Sequence, residues 1–136
     1  MGSLESLEGL KVNDDMFYVR IENCNNLQNV SSLNNLITVG LLWLNHFDIS
    51  FVRNIEKISD LQLRGNGQVQ NLSDFGKLKE IRSFTLTRLE ELEDLNFLRT
   101  VNRDNKFRSI LLINNPELSD ISTLSEFGKL LSLIHI

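Results

Sequence analysis

The side chains best suited to chemistry in this sequence are aromatic and cationic, and they lie between pairs of apolar residues. Trp43 separates Leu42 from Leu44, and Arg20 occupies the same kind of position. Successive side chains of a strand point to opposite faces, so the apolar pair faces inward and the residue between faces outward. Trp, Tyr and Arg contribute most of the binding energy at protein interfaces. The chemistry that this pattern predicts is therefore recognition of a partner on an exposed sheet.

The predicted partner-binding residues share the outward face of that sheet. They are Tyr18, Arg20, Trp43, Asn45, Gln62, Arg64, Thr85 and Leu111. A structural role is the alternative for the largest of them, because Trp43 could instead pack against a neighbouring domain, an absent coil or an extra loop.

Residues that could support catalysis are sparse, and we expect no enzymatic activity, no cofactor and no metal. The chain has two histidines and one cysteine, and no zinc or calcium ligand spacing occurs. His46 is interpreted as a polar turn residue, and Cys24 as an ordinary small residue in a turn. The segment Arg64-Gly65-Asn66-Gly67 lacks the Lys-Ser/Thr of a phosphate loop, and it is interpreted as a turn in which glycine accepts positive φ.

The composition excludes several classes of partner. The chain has 136 residues, a net charge of −4 and a pI of about 5.2. It carries no basic patch large enough to follow a phosphate backbone, so nucleic acid is not an expected partner. No apolar stretch reaches the roughly 18 residues that indicate a membrane span. The acidic run at 90–94 is interpreted as a solvated face.

The elements that must position the outward residues recur about every 23 residues, the period of a solenoid. Each unit begins with two inward apolar residues separated by one outward residue, which is the pattern of a strand with one buried face. These pairs are Val19/Ile21, Leu42/Leu44, Leu61/Leu63, Phe84/Leu86 and Ile110/Leu112.

Each pair is followed by a run with an apolar residue at every third position. This period fits tight turns and short 3₁₀ segments, in which side chains at i and i+3 align. The runs are Leu27, Val30, Leu33, Leu36, Val39; Ile49, Val52, Ile55, Ile58; Val69, Leu72, Phe75, Leu78, Ile81; Leu89, Leu92, Leu95, Leu98, Val101; and Leu118, Ile121, Leu124, Phe127.

The two patterns together predict a β-rich, right-handed solenoid. Each coil is a short strand, a polar turn and a return path, and stacked coils place their strands in parallel about 4.8 Å apart. The predicted domain is residues 1–130, with about five coils. Residues 102–109 and 13–18 interrupt the repeat and are predicted to be surface loops.

Three segments give the chain its resemblance to a known family. They are residues 110–124 (ILLINNPELSDISTL), residues 19–40 and residues 61–81. They resemble the leucine-rich repeats of receptor L domains, with a unit of the form L-x-I-x-N-N-P-x-L-x-x-L-x-x-L. The resemblance implies a right-handed, β-helix-like solenoid, and an extracellular or cell-surface protein-interaction module without catalytic residues. The cysteine-rich flanks of animal receptors are absent, which favours a bacterial-type version.

One column of the resemblance is incomplete. The family's asparagine stands at Asn23 and Asn114 but is replaced by His46, Gly65 and Arg88 in the other units. A continuous asparagine ladder is therefore not expected, and the turns need other partners for their backbone groups.

Three functions are compatible with these patterns. The favoured one is a fragment of a larger surface or secreted repeat protein that binds a macromolecule, a protein or a glycan, through its sheet face. The alternatives are a structural spacer and a glycan-binding β-solenoid, since Trp and Tyr also stack on sugars. A polysaccharide-cleaving β-helix is disfavoured, because the outward column mixes Arg, Trp, Gln, Thr and Leu and does not cluster carboxylates.

The last six residues, LSLIHI at 131–136, resemble the translation of an adapter used to prepare sequencing libraries. We predict that an independent genomic clone diverges from this sequence after Leu130. The alternative is a natural apolar strand. A clone that encodes LSLIHI followed by further repeat sequence would contradict the prediction.

Overall fold

The chain forms one parallel sheet whose strands follow one another in chain order. A computed structural model describes residues 4–24, 26–45, 49–65, 72–127 and 134–135. Within these ranges the sheet contains six strands. They are β1 (Asp15–Glu22), β2 (Thr38–Asn45), β3 (Lys57–Arg64), β4 (Glu80–Thr87), β5 (Ser109–Ile113) and β6 (Ile134–His135). Every neighbouring pair is parallel, which confirms the predicted strand direction.

The register of the sheet aligns the outward residues in a single row. Arg20 is opposite Trp43, Trp43 opposite Gln62, Gln62 opposite Thr85 and Thr85 opposite Leu111. The repeat spacing therefore predicted the register correctly. The inward residues beside this row form the sheet's contribution to the core, and all ten members of the five apolar pairs are buried.

The strands are longer than the sequence pattern indicated. In β2 both Val39 and Leu42 are buried, with Gly40 and Leu41 between them, and the pairing with β1 passes over Gly40. The paired strands have equal numbers of residues across this step, with Met16 and Tyr18 opposite Val39 and Leu41, so the interruption of the alternation is shared by neighbouring strands and is not a one-sided β-bulge. The assignment of Val39 to the apolar run before β2 is therefore wrong, because Val39 lies within β2. The surface loop predicted at 13–18 is also wrong over most of its length, because β1 begins at Asp15.

The core is built from the apolar runs and from a row of phenylalanines. The described members of the runs are buried, apart from Leu118 and Ile121, which are half-buried. Val69 lies outside the described residues. The pattern missed the buried rings of Phe51, Phe97 and Phe107. Since Phe51 and Phe97 immediately precede apolar residues of the runs, they stood outside the period of three.

The return paths contain the short 3₁₀ helices that the period of three predicted. They are Ser31–Leu33, Ser50–Asn54, Asn96–Thr100 and Ser122–Phe127. Three of them begin with the same hydrogen bond, in which a side-chain Oδ1 accepts from the N–H two residues later. The acceptors are Asn29 at 3.0 Å, Asp94 at 2.9 Å and Asp120 at 2.9 Å. Hydrogen bonds from Ser122 hold the pKa of the Asp120 carboxyl below its usual value.

The insertion before β5 is anchored to the core and is more than a surface loop. The ring of Phe107 is buried and packs edge-on to Phe84, with centroids 5.8 Å apart. The side-chain amide of Asn105 accepts from Ile81 N–H at 3.1 Å and donates to Ile81 C=O at 2.9 Å. The Asn105 amide thus bonds the backbone N–H and C=O of Ile81 in β4. β5 provides no partner at this position, because it starts only at Ser109.

The turns after the strands use different residues at the predicted asparagine column. Asn23, Arg88 and Asn114 have φ of 54°, 56° and 53°, a conformation that asparagine tolerates well. Gly65 does not adopt positive φ, so that part of the prediction is wrong for this residue. A Cβ at Gly65 would lie 2.0 Å from the carbonyl oxygen of Arg88, and glycine is required there for close approach.

Asn115, next to Asn114 in the chain, is one of the other partners that the turns use. Its Oδ1 accepts from Leu89 N–H at 2.9 Å, and its Nδ2 donates to Leu86 C=O at 2.9 Å. One side chain thereby satisfies two partly buried backbone groups, one at the end of β4 and one in the turn that follows it.

Both ends of the described chain stack on the repeat. Ser6 forms a parallel bridge with Asn29, and Leu7 N–H donates to Asn29 C=O at 2.9 Å. The first described residues thus pair with the segment between β1 and β2. At the other end, Ile134–His135 pairs with β5. Residues 128–133 and 136 lie outside the described residues, and the adapter origin of 131–136 stays a prediction.

We predict that Asn115→Ala lowers the free energy of unfolding by about 1–3 kcal/mol, because it leaves Leu89 N–H and Leu86 C=O without their partner. Asn102→Ala is the matched control. Asn102 is exposed, and its loss should change stability by no more than about 0.5 kcal/mol. Chemical denaturation of the two variants tests this, and equal midpoints would contradict it.

Candidate binding face

The outward side of the sheet brings most of the predicted residues together. The central row runs Arg20, Trp43, Gln62, Thr85, Leu111. A second row, two residues earlier, runs Tyr18, Leu41, Asp60, Ser83, Ser109. A third row, two residues later, holds Glu22 and Asn45 on β1 and β2 and Arg64, Thr87 and Ile113 on β3 to β5. We call these three rows the sheet face.

On the β1 side, Arg20 holds the indole of Trp43. The Arg20 guanidinium carbon lies 4.2 Å from the centroid of the Trp43 ring, a cation–π arrangement. The same guanidinium donates to Glu22 Oε2, from Nε at 2.8 Å and from Nη2 at 2.5 Å. Glu22 and Tyr18 raise the pKa of Arg20 by hydrogen bonding. Arg20 is therefore held in place by a carboxylate and covers part of the tryptophan.

On the β3 side, Trp43 borders a small cleft of about 180 Å³. The residues that line it are Trp43, Gln62, Leu63, Arg64, Thr85 and Thr87. Pockets for drug-sized ligands measure roughly 300–1,000 Å³, so the space fits one side chain or one chemical group. Four of the eight predicted residues thus meet around a single feature.

The remaining predicted residues lie at the margins of this cleft or away from it. Tyr18 is on the edge strand and is 46% exposed. Leu111 is half-buried on β5, three strands and about 14 Å from Trp43. Asn45 is half-buried at the end of β2. The structure therefore groups Trp43, Gln62, Arg64 and Thr85 and leaves Tyr18 and Leu111 peripheral.

Sequence reasoning missed two kinds of residue on this face. Asp60 accepts a hydrogen bond from the Gln62 side chain at 3.2 Å, and its position two residues before the central row could have revealed it. Phe17 is 89% exposed on β1. Phe17 lies in β1 where the alternation of inward and outward side chains is interrupted, so its position could not be predicted from alternation.

Elsewhere, the described residues offer larger but less convergent clefts. One of about 490 Å³ lies on the return path and is lined by Phe75, Glu91 and Asp94, among others. The acidic run 90–94 that borders it is exposed at Glu90, Glu91 and Glu93, as the prediction of a solvated face required. Within the described ranges no group of His, Cys, Asp or Glu could hold a metal ion. His46 lies outside those ranges.

In the described part of the chain, no helix is long and apolar enough to cross a membrane. Comparison with known proteins found no matching family model, curated protein or solved structure.

We predict opposite effects for two neighbouring residues of β2. Leu44 is fully buried, and Leu44→Ala should lower the free energy of unfolding by about 2–5 kcal/mol through a cavity. Trp43 faces outward, and Trp43→Ala should change it by no more than about 1 kcal/mol. Thermal melts of both variants test the assignment. A Trp43→Ala melt as early as that of Leu44→Ala would show that Trp43 is a structural residue.

Proposed function

We propose that the chain is a non-enzymatic interaction module that binds another protein through its sheet face. It would be part of a larger cell-surface or secreted protein built from leucine-rich repeats of the receptor L-domain type. The observation that carries the proposal is the half-exposed Trp43, the second residue of the central row, which is held on one side by Arg20. A fixed aromatic ring on a sheet is the usual anchor of an interface.

The solenoid architecture is part of the proposal. Parallel strands in chain order require a crossover after each strand, and crossovers between parallel strands are right-handed in about 98% of cases. Each crossover here contains turns or a 3₁₀ helix. It places the next strand directly beside the one before it. Two further parallel bridges, Ser6–Asn29 and Asp94–Asp120, join return paths of neighbouring coils. These features support coils stacked along one axis.

A structural spacer is a weaker explanation of the sheet face. A spacer needs only soluble outward residues. Here the face combines one Trp, one Tyr and two Arg within three strands. Exposed aromatic residues contribute nothing to the solubility of a spacer. Their concentration on one face supports a binding role.

Glycan binding is the second candidate, and the small cleft beside Trp43 favours it. Its hydroxyl and amide groups, next to an indole ring, are the types of group that hold a sugar. The neighbouring charges point toward a protein, because Arg20, Glu22, Asp60 and Arg64 offer sites for charged side chains.

The test compares variants of the sheet face in the capture of a partner from the native extracellular milieu. Trp43→Ala is expected to weaken binding by about 2 kcal/mol or more. Arg99→Ala is the matched control, because Arg99 is exposed on the Asn96–Thr100 helix of the return path, away from the sheet. A partner captured equally by both variants would contradict the proposal. Removal of glycans from the partner separates the second candidate from the first.

A further inference from the structure

The charged residue of the cleft beside Trp43 differs from other cations of the sheet in its lack of an ion-pair partner among the described residues. Arg20 on the same face is bonded to Glu22, and Lys57 on β3 lies 3.8 Å from Glu80. Arg64 is exposed, and within the described residues it makes no hydrogen bond or ion pair. No described residue therefore occupies the donors of this cation, which point to a ligand as their partner.

The other lining residues add donors of the same kind. Thr85 and Thr87 are half-buried, and their hydroxyls have no partner among the described residues. The indole N–H of Trp43, a group that can only donate, has none either. The single amide, Gln62, already donates to Asp60 at 3.2 Å. A cleft with several unused donors and one guanidinium is complementary to a group that only accepts and carries negative charge.

The volume of the cleft limits the size of the group that it can bind. A volume of about 180 Å³ is about six times the roughly 30 Å³ that a water molecule occupies in the liquid. It accommodates a carboxylate with its short aliphatic stem. The apolar part of such a stem would lie against the Trp43 ring and the carboxylate would meet the guanidinium, which favours bidentate pairing.

We propose that this cleft is a subsite for the carboxylate of an Asp or Glu side chain on the protein partner, with Arg64 as its charged contact. The inference rests on the proposed function of the sheet face. Arg64 pairs with the carboxylate oxygens, and Thr85 and Thr87 donate hydrogen bonds at the rim. Trp43 supplies the apolar wall, and Arg20, already bonded to Glu22, stays outside the subsite.

The test uses two capped peptides, Ac-Gly-Ser-Glu-Ser-Gly-NH₂ and its Gln counterpart, titrated into the ¹⁵N-labelled chain. Because the chain has one tryptophan, the Trp43 indole N–H gives a unique NMR signal beside the cleft. The Glu peptide is expected to shift this signal saturably in the millimolar range. The Gln peptide should bind about tenfold or more weakly, because it lacks the charge, and added NaCl should weaken the Glu peptide.

Arg64→Gln is expected to remove the difference between the two peptides. Arg82→Gln is the matched control, because Arg82 is exposed on β4 and does not line the cleft. Arg64→Lys should retain part of the effect, since it keeps the charge and loses the bidentate geometry. Equal shifts by the Glu and Gln peptides, or an unchanged response in Arg64→Gln, would overturn the proposal.

The outcome separates this inference from the proposed function. If the Glu peptide shows no preference but Trp43→Ala still loses the partner, the subsite is wrong and the binding face stands. If the peptide binds through Arg64 but Trp43→Ala captures the partner as well as the unaltered chain, the sheet face is not the interface. The carboxylate subsite then remains without the function on which it was proposed.

Discussion

Constant register between successive parallel strands is the constraint on which the rest of this structure depends. Leu42, Leu61 and Phe84 follow one another across β2, β3 and β4, and all are buried. A slip of one residue in any strand would turn its apolar pair to the outside and bury an outward residue. The same register fixes the outer face, so Trp43 lies beside Gln62 because Leu42 lies beside Leu61. The arrangement of the binding face is therefore a consequence of core packing.

Each strand of a parallel sheet ends in a turn whose backbone polar groups need partners, and this chain supplies those partners with different residues. Asn115 bonds both Leu89 N–H and Leu86 C=O, whereas Gly65 allows its own N–H to reach Thr87 C=O at 2.8 Å. The side-chain amide of Asn105, which lies in the insertion before β5, bonds the N–H and C=O of Ile81 in β4. Because the requirement belongs to the backbone and several side chains can meet it, the asparagine column can be interrupted without loss of the stacking.

Local spacing predicted the strands, their direction and register, and most of the core, because each depends on side-chain alternation within a few residues. It failed where alternation is broken. Val39 and Leu42 are three residues apart, so Val39 was assigned to the return path although it belongs to β2. The anchoring of Phe107 could not be predicted, because it depends on contact with Phe84 from a distant strand. For the site, Trp43 and Arg64 were predicted as outward, but the cleft and the lack of an ion pair at Arg64 depend on side-chain positions that spacing does not determine.

The two sides of Trp43 differ in a way that bears on binding more than on stability. Ion pairs exposed to water contribute little to folding, so neither the Arg20–Glu22 pair nor an unpaired Arg64 matters much to a core of fully buried leucines and phenylalanines. These two arginines matter instead for how the sheet face binds a partner. Arg20 restricts the indole before any partner arrives, which lowers the entropy lost on binding. Arg64 pairs with no described residue, so a carboxylate can reach it without breaking an ion pair there. A face that is held on one side of its aromatic anchor and open on the other is therefore organised for an incoming charged side chain.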